Sequence, residues 1–235
     1  MRKAEAWHKE MVLSDKAIRE ARARGDLVIE PFDEACVNTS SYDVTLGEYL
    51  FRESAPQGAD ARIYNMYDAA EVKRVWGSVE RAPTYNELVA HGELPPDLVN
   101  IAPEDRIVLL KPGETILGHT QEFIGGVRNI TTKMQARSSM GRNFIEVCKC
   151  SGFGDVGYAS RWTMELTNNS QHYIIPLIVG RRLAQIVFFQ TPPVEGLYKS
   201  KYQAFDAKEV FSKWSPEDML PKLNLERELR QGDHA

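Results

Sequence analysis

Hydrophobic and polar positions change period several times along the chain. In SDKAIREARAR, residues 14–24, Ala17, Ile18 and Ala21 recur at helical spacing. Ser14 stands where an N-cap belongs, and Gly25 where a helix stops. LVIEPF then predicts an extended segment that Pro31 ends or confines to a sheet edge. SYDVTLGEYLF, residues 41–51, alternates as a strand interrupted at Gly47. Periodicity fades over 52–105, where Pro56, Pro83, Pro95, Pro96 and Pro103 fall among many charges. A Thr84-capped helix over 84–91 is the one regular element predicted there. The rest reads as loop or inserted elements, too poor in apolar residues for an independent core.

From 106 to 190 the texture is different. RIVLL, ETILGHTQEFI, ITTKMQA, NFIEVCKC, RWTMELTN, HYIIPLIV and RLAQIVFFQ are short runs rich in Val, Ile, Thr and aromatics. Turn residues separate most of them, and no helical pattern intervenes. This predicts an all-β sandwich, jelly roll or barrel. SPEDMLPKLNLERELR then predicts a helical tail, with Ser215 as cap, Pro216 in the first turn, and Glu217 and Asp218 near its positive end. The expected layout is one domain over 1–205, elaborated at 52–105, followed by the tail at 206–235.

Composition narrows the functional classes. The 235 residues carry 29 Lys+Arg against 33 Asp+Glu, a net −4, which argues against a general nucleic-acid binder. No apolar run approaches the roughly 18 residues of a membrane span, and the N-terminus has no apolar signal region. The expectation is a cytoplasmic protein, away from membranes, with Cys36, Cys148 and Cys150 reduced.

Several clusters could carry chemistry. Arg137-Ser138-Ser139-Met140-Gly141-Arg142 packs two arginines, two hydroxyls and a glycine into six residues. That set suits an oxyanion such as phosphate, or else it is a polar turn with surface arginines. It lacks the Gly-Lys-Ser/Thr ending of a P-loop. Gly152-Phe153-Gly154-Asp155-Val156-Gly157-Tyr158 predicts a tight hairpin. In the following run, alternation puts Met164 and Leu166 on one face and Thr163 and Glu165 on the other. Glu165 is then either a pocket carboxylate able to move protons or a solvent-facing residue on an edge strand.

The signature of zinc nucleobase deaminases is incomplete: His91-Gly92-Glu93 is present, but a Cys-x-x-Cys is not. Cys148 and Cys150 have one spacer, which on a strand points both thiols to one face with no clear partners. No zinc site is expected.

The ordered set of these motifs resembles the dCTP deaminases. It comprises Val12-Leu13-Ser14-Asp15, Ile29-Glu30-Pro31-Phe32-Asp33, Ser40-Ser41-Tyr42-Asp43-Val44-Thr45-Leu46-Gly47, Leu110-Lys111-Pro112-Gly113-Glu114 and Leu117-Gly118. Arg137 to Arg142, Gly152 to Tyr158, Met164-Glu165-Leu166, Asn168 and Lys201-Tyr202-Gln203 complete it, in order from about residue 11 to 205. The resemblance implies a mainly β, dUTPase-like β-clip or distorted jelly-roll barrel, with an N-terminal helix and short peripheral helices. It also implies a homotrimer with active sites between subunits.

The same resemblance implies roles. Glu165 matches the catalytic glutamate that activates water for attack on C4 of cytosine. Ser138 and Arg142 match residues that position that water and the glutamate. Arg137 and Ser139 match triphosphate contacts, and Asp155 a deoxyribose contact. Thr163 and Met164 flank the base through their backbone, while Gln185, Tyr198 and Lys201 match C-terminal nucleotide contacts. Magnesium would come with the triphosphate, and no zinc is implied.

The leading expectation is hydrolysis of dCTP to dUTP and ammonia. A bifunctional alternative also cleaves dUTP to dUMP and pyrophosphate, with Asp43 as the candidate for the second water and Gly152 giving the loop room for a uracil product. A third reading is a nucleotide-binding regulator without turnover. The chain departs from the family where Cys150-Ser151-Gly152 replaces the usual Thr-Ala-His or Thr-Ala-Gly, and where Gly154 replaces a usual isoleucine.

Overall fold

The computed structural model describes residues 12–58, 62–196, 198 and 211–226. Helix α1 (Asp15–Arg24) begins as its sequence requires: Ser14 Oγ accepts the Ala17 N–H at 3.3 Å. Gly25 closes it in the left-handed conformation, φ 76°. Ile18 and Ala21 are its buried residues.

Strands β1 (Leu27–Glu30), β2 (Val37–Asn38), β3 (Ser41–Thr45) and β4 (Tyr49–Arg52) follow. The elaborated segment contributes helix α2 (Ala69–Trp76), strand β5 (Glu80–Arg81) and helix α3 (Tyr85–Ala90). Next come β6 (Ile107–Leu110), β7 (Thr115–Gly126), β8 (Ile130–Ala136), the short helix α4 (Ser138–Arg142), β9 (Ile145–Glu146) and β10 (Phe153–Gly154). Strands β11 (Ala159–Asn168), β12 (Ile175–Ile178) and β13 (Arg182–Gln190) complete the sheets.

One sheet runs β5-β4-β7-β11-β9, with β1 also paired to β7. The other runs β10-β8-β13-β3-β2, and β12 pairs with β6. Gly47 therefore does more than interrupt a strand: β3 belongs to one sheet and β4 to the other. Tyr42, Val44, Ile124, Ile130, Met134, Trp162, Met164, Leu166, Ile186 and Phe188 form the shared core. On β8, Ile130, Thr132 and Met134 are buried while Lys133 and Gln135 are exposed, the strand alternation expected of a half-buried sheet. The architecture is mainly β, as expected.

Helix α3 forms where Thr84 predicts it, with Thr84 and Glu87 closing a capping box. Helix α2 corrects the irregular reading of this stretch: Val72, Val75 and Trp76 stand at helical spacing, Asp68 caps its start by accepting the Ala70 N–H, and Gly77 ends it. Tyr85 and Leu88 of the elaborated segment are buried together with Ile107 of β6 in a small separate cluster.

The tail departs from the expected helix. Residues 211–213 are helical, but the described part of the expected helix, 215–226, forms two 3₁₀ turns, Pro216–Met219 and Leu223–Leu225. Pro221 lies between them and disfavours helical backbone before it. Ser215 sits at the start as expected, its N–H donating to the Asp218 carboxylate at 3.1 Å. Met219 and Leu220 are buried against Phe51, Val72 and Leu117, with Trp76 and Trp214 packed alongside.

Candidate active site

Strand β11 presents Glu165. Its inward residues Trp162, Met164 and Leu166 are buried, so Arg161, Thr163 and Glu165 stand on the opposite face, half-buried. In register, Thr163 lies opposite His119 and Glu165 opposite Leu117 of β7. Thr163 and Glu165 line a cavity of about 470 Å³. Its walls include Thr115 and Leu117 of β7, the loop residues Lys149, Ser151 and Phe153, and the rings of Tyr158, Trp162 and Tyr198. Trp76 at the end of α2 and Met219 and Pro221 of the tail close it from the far side. Trp76 Nε1 is buried and has no hydrogen-bond partner among the described residues.

The aromatic wall is tightly arranged. Tyr158 meets Trp162 edge-on at 5.2 Å and Tyr198 at 5.7 Å. Gly154 now has a reason: a Cβ there would lie 2.6 Å from the Trp162 ring and 2.4 Å from Thr132 Oγ1. Gly152 is equally constrained, since a Cβ there would lie 2.4 Å from the Met134 carbonyl oxygen. The space beside Gly152 is thus occupied by strand backbone, and it does not provide the room for a product that the sequence suggested.

The expected strand NFIEVCKC is also corrected. β9 ends at Glu146, and Cys148, Lys149 and Cys150 have φ of 66°, 35° and 93°. These left-handed residues turn the chain, so Cys148 is buried and Cys150 exposed rather than both facing one side. Burial and the charge of Glu165 push the Cys148 thiol up to about 12, so it stays protonated near neutrality. Among the described residues, no three His, Cys, Asp or Glu side chains cluster as metal ligands.

Asp155 is exposed and lines a neighbouring cavity of about 410 Å³, which shares Phe153 and Tyr198 with the first. Met164 is fully buried, so only its backbone can face a ligand. Lys201 lies outside the described residues.

The remaining candidates gather elsewhere. Ser138, Ser139 and Arg142 are exposed on α4. None of the three lines the Glu165 cavity. Arg137 caps α4, and its Nε lies 3.5 Å from the Asp43 carboxylate. Arg182 Nη1 lies 3.3 Å from the same oxygen of Asp43, which is buried on β3. Gln185 pairs with Asp43 on one side and Gln135 on the other. Within a single chain, Arg142 is therefore not brought to Glu165. Among the described residues, Glu165 is hydrogen-bonded by Ser151, whose Oγ is 2.9 Å from Oε2. Ser151, Lys149, Trp76, Met219 and Arg182 carry no sequence signal of their own. They reach these sites through folding of distant segments.

The structure is a two-sheet β fold with a half-buried glutamate in an aromatic pocket and, apart from it, the arginines of α4 and β13. The sequence profile of the dCTP deaminase-like family matches residues 12–191, and the chain belongs to that family. A protein of Corynebacterium jeikeium (strain K411) called "dCTP deaminase, dUMP-forming" is 31% identical over 199 residues, 82% of this chain and 92% of its own. A Beutenbergia cavernae protein of the same description is 29% identical over 193 residues, 81% and 85% of the two chains. Among solved structures, a 2′-deoxycytidine 5′-triphosphate deaminase from Agrobacterium tumefaciens aligns with a TM-score of 0.53 and 18% identity. That alignment covers 78% of this chain and spans about half, 49%, of the other.

Proposed function

We propose that this protein deaminates dCTP and carries the product on to dUMP, pyrophosphate and ammonia. The observation that carries the reading is the cavity that places Glu165 and Thr163 beside the Tyr158–Tyr198 wall. Relatives described as "dCTP deaminase, dUMP-forming" support dUMP in place of dUTP as the product, and ammonia and pyrophosphate complete the balance. In this scheme water attacks C4 of cytosine, and Glu165 takes its first proton and gives it to N3, then takes the second from the C4 hydroxyl of the adduct and gives it to the leaving amine. The C4–O bond forms, the C4–N bond breaks, and ammonia departs.

Ser138 and Arg142 stand on another face of the same chain. A homotrimer reconciles this, with α4 of one subunit facing Glu165 of a neighbour. Arg137, Ser139 and Lys201 would then hold the triphosphate, whose magnesium enters with the substrate, and Gln185 and Tyr198 would contact the nucleotide. Guanidinium and hydroxyl donors of that kind fit phosphate oxygens. Asp43 is the candidate for the second hydrolysis. No helix among the described residues is long and apolar enough to cross a membrane. We place the protein in the cytoplasm, where deoxynucleotides are made.

Incubation with dCTP and magnesium, followed by separation of dUTP, dUMP and ammonia, tests the scheme. The expected products are dUMP and ammonia, and Glu165→Gln should lower ammonia release by roughly 10²–10⁴-fold. Nucleotide binding without product would overturn the proposal.

A further inference from the structure

We infer that Ser151 is a positioning residue for Glu165: its hydroxyl is a rotor that hydrogen-bonds the carboxyl group in both protonation states a proton shuttle must visit. This rests on the reading of Glu165 as that shuttle.

The geometry around Ser151 is specific. Its Oγ lies 2.9 Å from Glu165 Oε2 and 2.7 Å from the carbonyl oxygen of Cys148. Both neighbours can accept, yet a hydroxyl has one proton to give. The Cys148 carbonyl also receives the Ser151 backbone N–H at 2.7 Å, so it keeps a partner whichever way the hydroxyl points. When Glu165 is ionised, the hydroxyl donates to Oε2. When Glu165 is protonated, the acid O–H donates to Ser151 Oγ and the hydroxyl turns to Cys148. Across a turnover Glu165 relays two protons from water, the first to N3 and the second to the leaving amine. Ser151 rotates and retains its own proton throughout.

The loop is built to hold this arrangement. Cys148, Lys149 and Cys150, none of them glycine, all have positive φ, a run that persists only where surroundings fix it. Those surroundings are the buried Cys148 thiol, 2.9 Å from Met134 Sδ, and the Met134 N–H donating to the Gly152 carbonyl at 2.7 Å. Within the chain, the other titratable groups beside Glu165 are Lys149, Tyr158 and Tyr198, which line the same cavity, and the buried Cys148; in the trimer proposed above, Arg142 of a neighbouring subunit joins them. A change at Ser151 alters none of them chemically.

The test uses the full-length protein with ¹³C-labelled glutamate carboxyl groups, and Glu165→Gln to assign the resonance. Spectra of wild type, Ser151→Ala and Ser151→Thr are compared at one pH, and kcat and KM for ammonia release are measured against pH. Ser151→Ala takes the hydroxyl away from the carboxyl group, so the Glu165 resonance should move and kcat should fall about tenfold. KM should stay near the wild-type value, and Ser151→Thr should restore both the resonance and kcat. A Glu165 resonance and kcat–pH profile unchanged in Ser151→Ala, with only thermal stability affected, would overturn the inference. Wild type that releases no ammonia, with the resonance still moved by Ser151→Ala, would leave the pairing standing and overturn the deaminase reading.

Discussion

The imidazole of His119 fills the space that a side chain on Gly47 would need: a Cβ there would lie 1.9 Å from Cε1 and 2.3 Å from Nδ1. The ring is fixed at both nitrogens. Nδ1 lies 2.8 Å from the Thr120 carbonyl and so carries the proton, while Nε2 accepts the Tyr49 N–H at 3.3 Å. Gly47 is thus the point where the chain passes between sheets over a buried ring. Gly47→Ala is expected to cost about 3 kcal/mol through overpacking, lowering the melting temperature by roughly 6–12 °C in a chain of this size. Calorimetry or a thermal CD melt checks it, and an unchanged melting temperature would show that the ring can move aside.

His119 also sets a pH dependence. Burial, assisted by the charge of Arg161, lowers its pKa to about 4 from the usual 6.5, although its bond to Thr120 acts in the opposite direction. As pH falls below 6.5 the unfolded chain takes up a proton that the folded chain refuses until about pH 4. Stability is therefore lost across that window, by up to about 3 kcal/mol from this residue. Burial raises the Glu122 carboxyl, which works the other way: its stabilising share is present at low pH and lost as pH rises. Urea unfolding of wild type and His119→Gln at several pH values separates the two. The expected result is a shallower acid loss in the variant, with the Glu122 contribution unchanged.

What could be read from sequence was local. Ser14, Gly25 and Thr84 mark helix ends because capping depends on residues a few positions apart. The faces of β11 follow from strand alternation, so Glu165 and Thr163 were placed correctly on the outward side. The rest depends on contacts across the chain. The left-handed turn at Cys148–Cys150 exists because Cys148 is buried beside Met134. The cavity draws on Trp76, Glu165 and Met219, three segments with no sequence relation to one another. The separation of Arg142 from Glu165 follows from where α4 leaves β8, and spacing along the chain does not encode it.

Asp43 supports a test of the second hydrolysis. Its buried carboxylate lies between Arg137 and Arg182, at 3.5 and 3.3 Å. Asp43→Asn keeps the shape and removes the charge that balances two guanidinium groups. If Asp43 serves the water that cleaves dUTP, the variant should release ammonia at a near-normal rate while dUTP accumulates in place of dUMP. The loss of the ion pairs should also cost about 2 kcal/mol, read as a lower urea midpoint. Continued dUMP formation at the wild-type ratio would remove Asp43 from the reaction and leave it a structural partner of the two arginines.

The C-terminal segment is expected to be part of both the core and the pocket. The Arg161 guanidinium lies between two rings, 4.8 Å from Phe123 and 4.7 Å from Trp214. Trp214 also lies 4.8 Å from His119, and Met219 and Leu220 are buried over Leu117. Removing residues 211–235 uncovers Arg161, Leu117 and Phe51 and opens the far wall of the Glu165 cavity. Each lost apolar side chain is worth about 1.5–3 kcal/mol, and the stacked cation adds about 1. The truncated protein should therefore melt roughly 10–20 °C lower. It should also bind nucleotide more weakly, because water would enter beside Trp76 and Tyr198. Melting curves and a nucleotide titration at a temperature where both proteins are folded check the two effects separately. A truncated chain with the wild-type melting temperature would mean that the Trp214 and Met219 contacts contribute nothing to the fold. Unchanged nucleotide affinity would mean that the cavity needs no far wall.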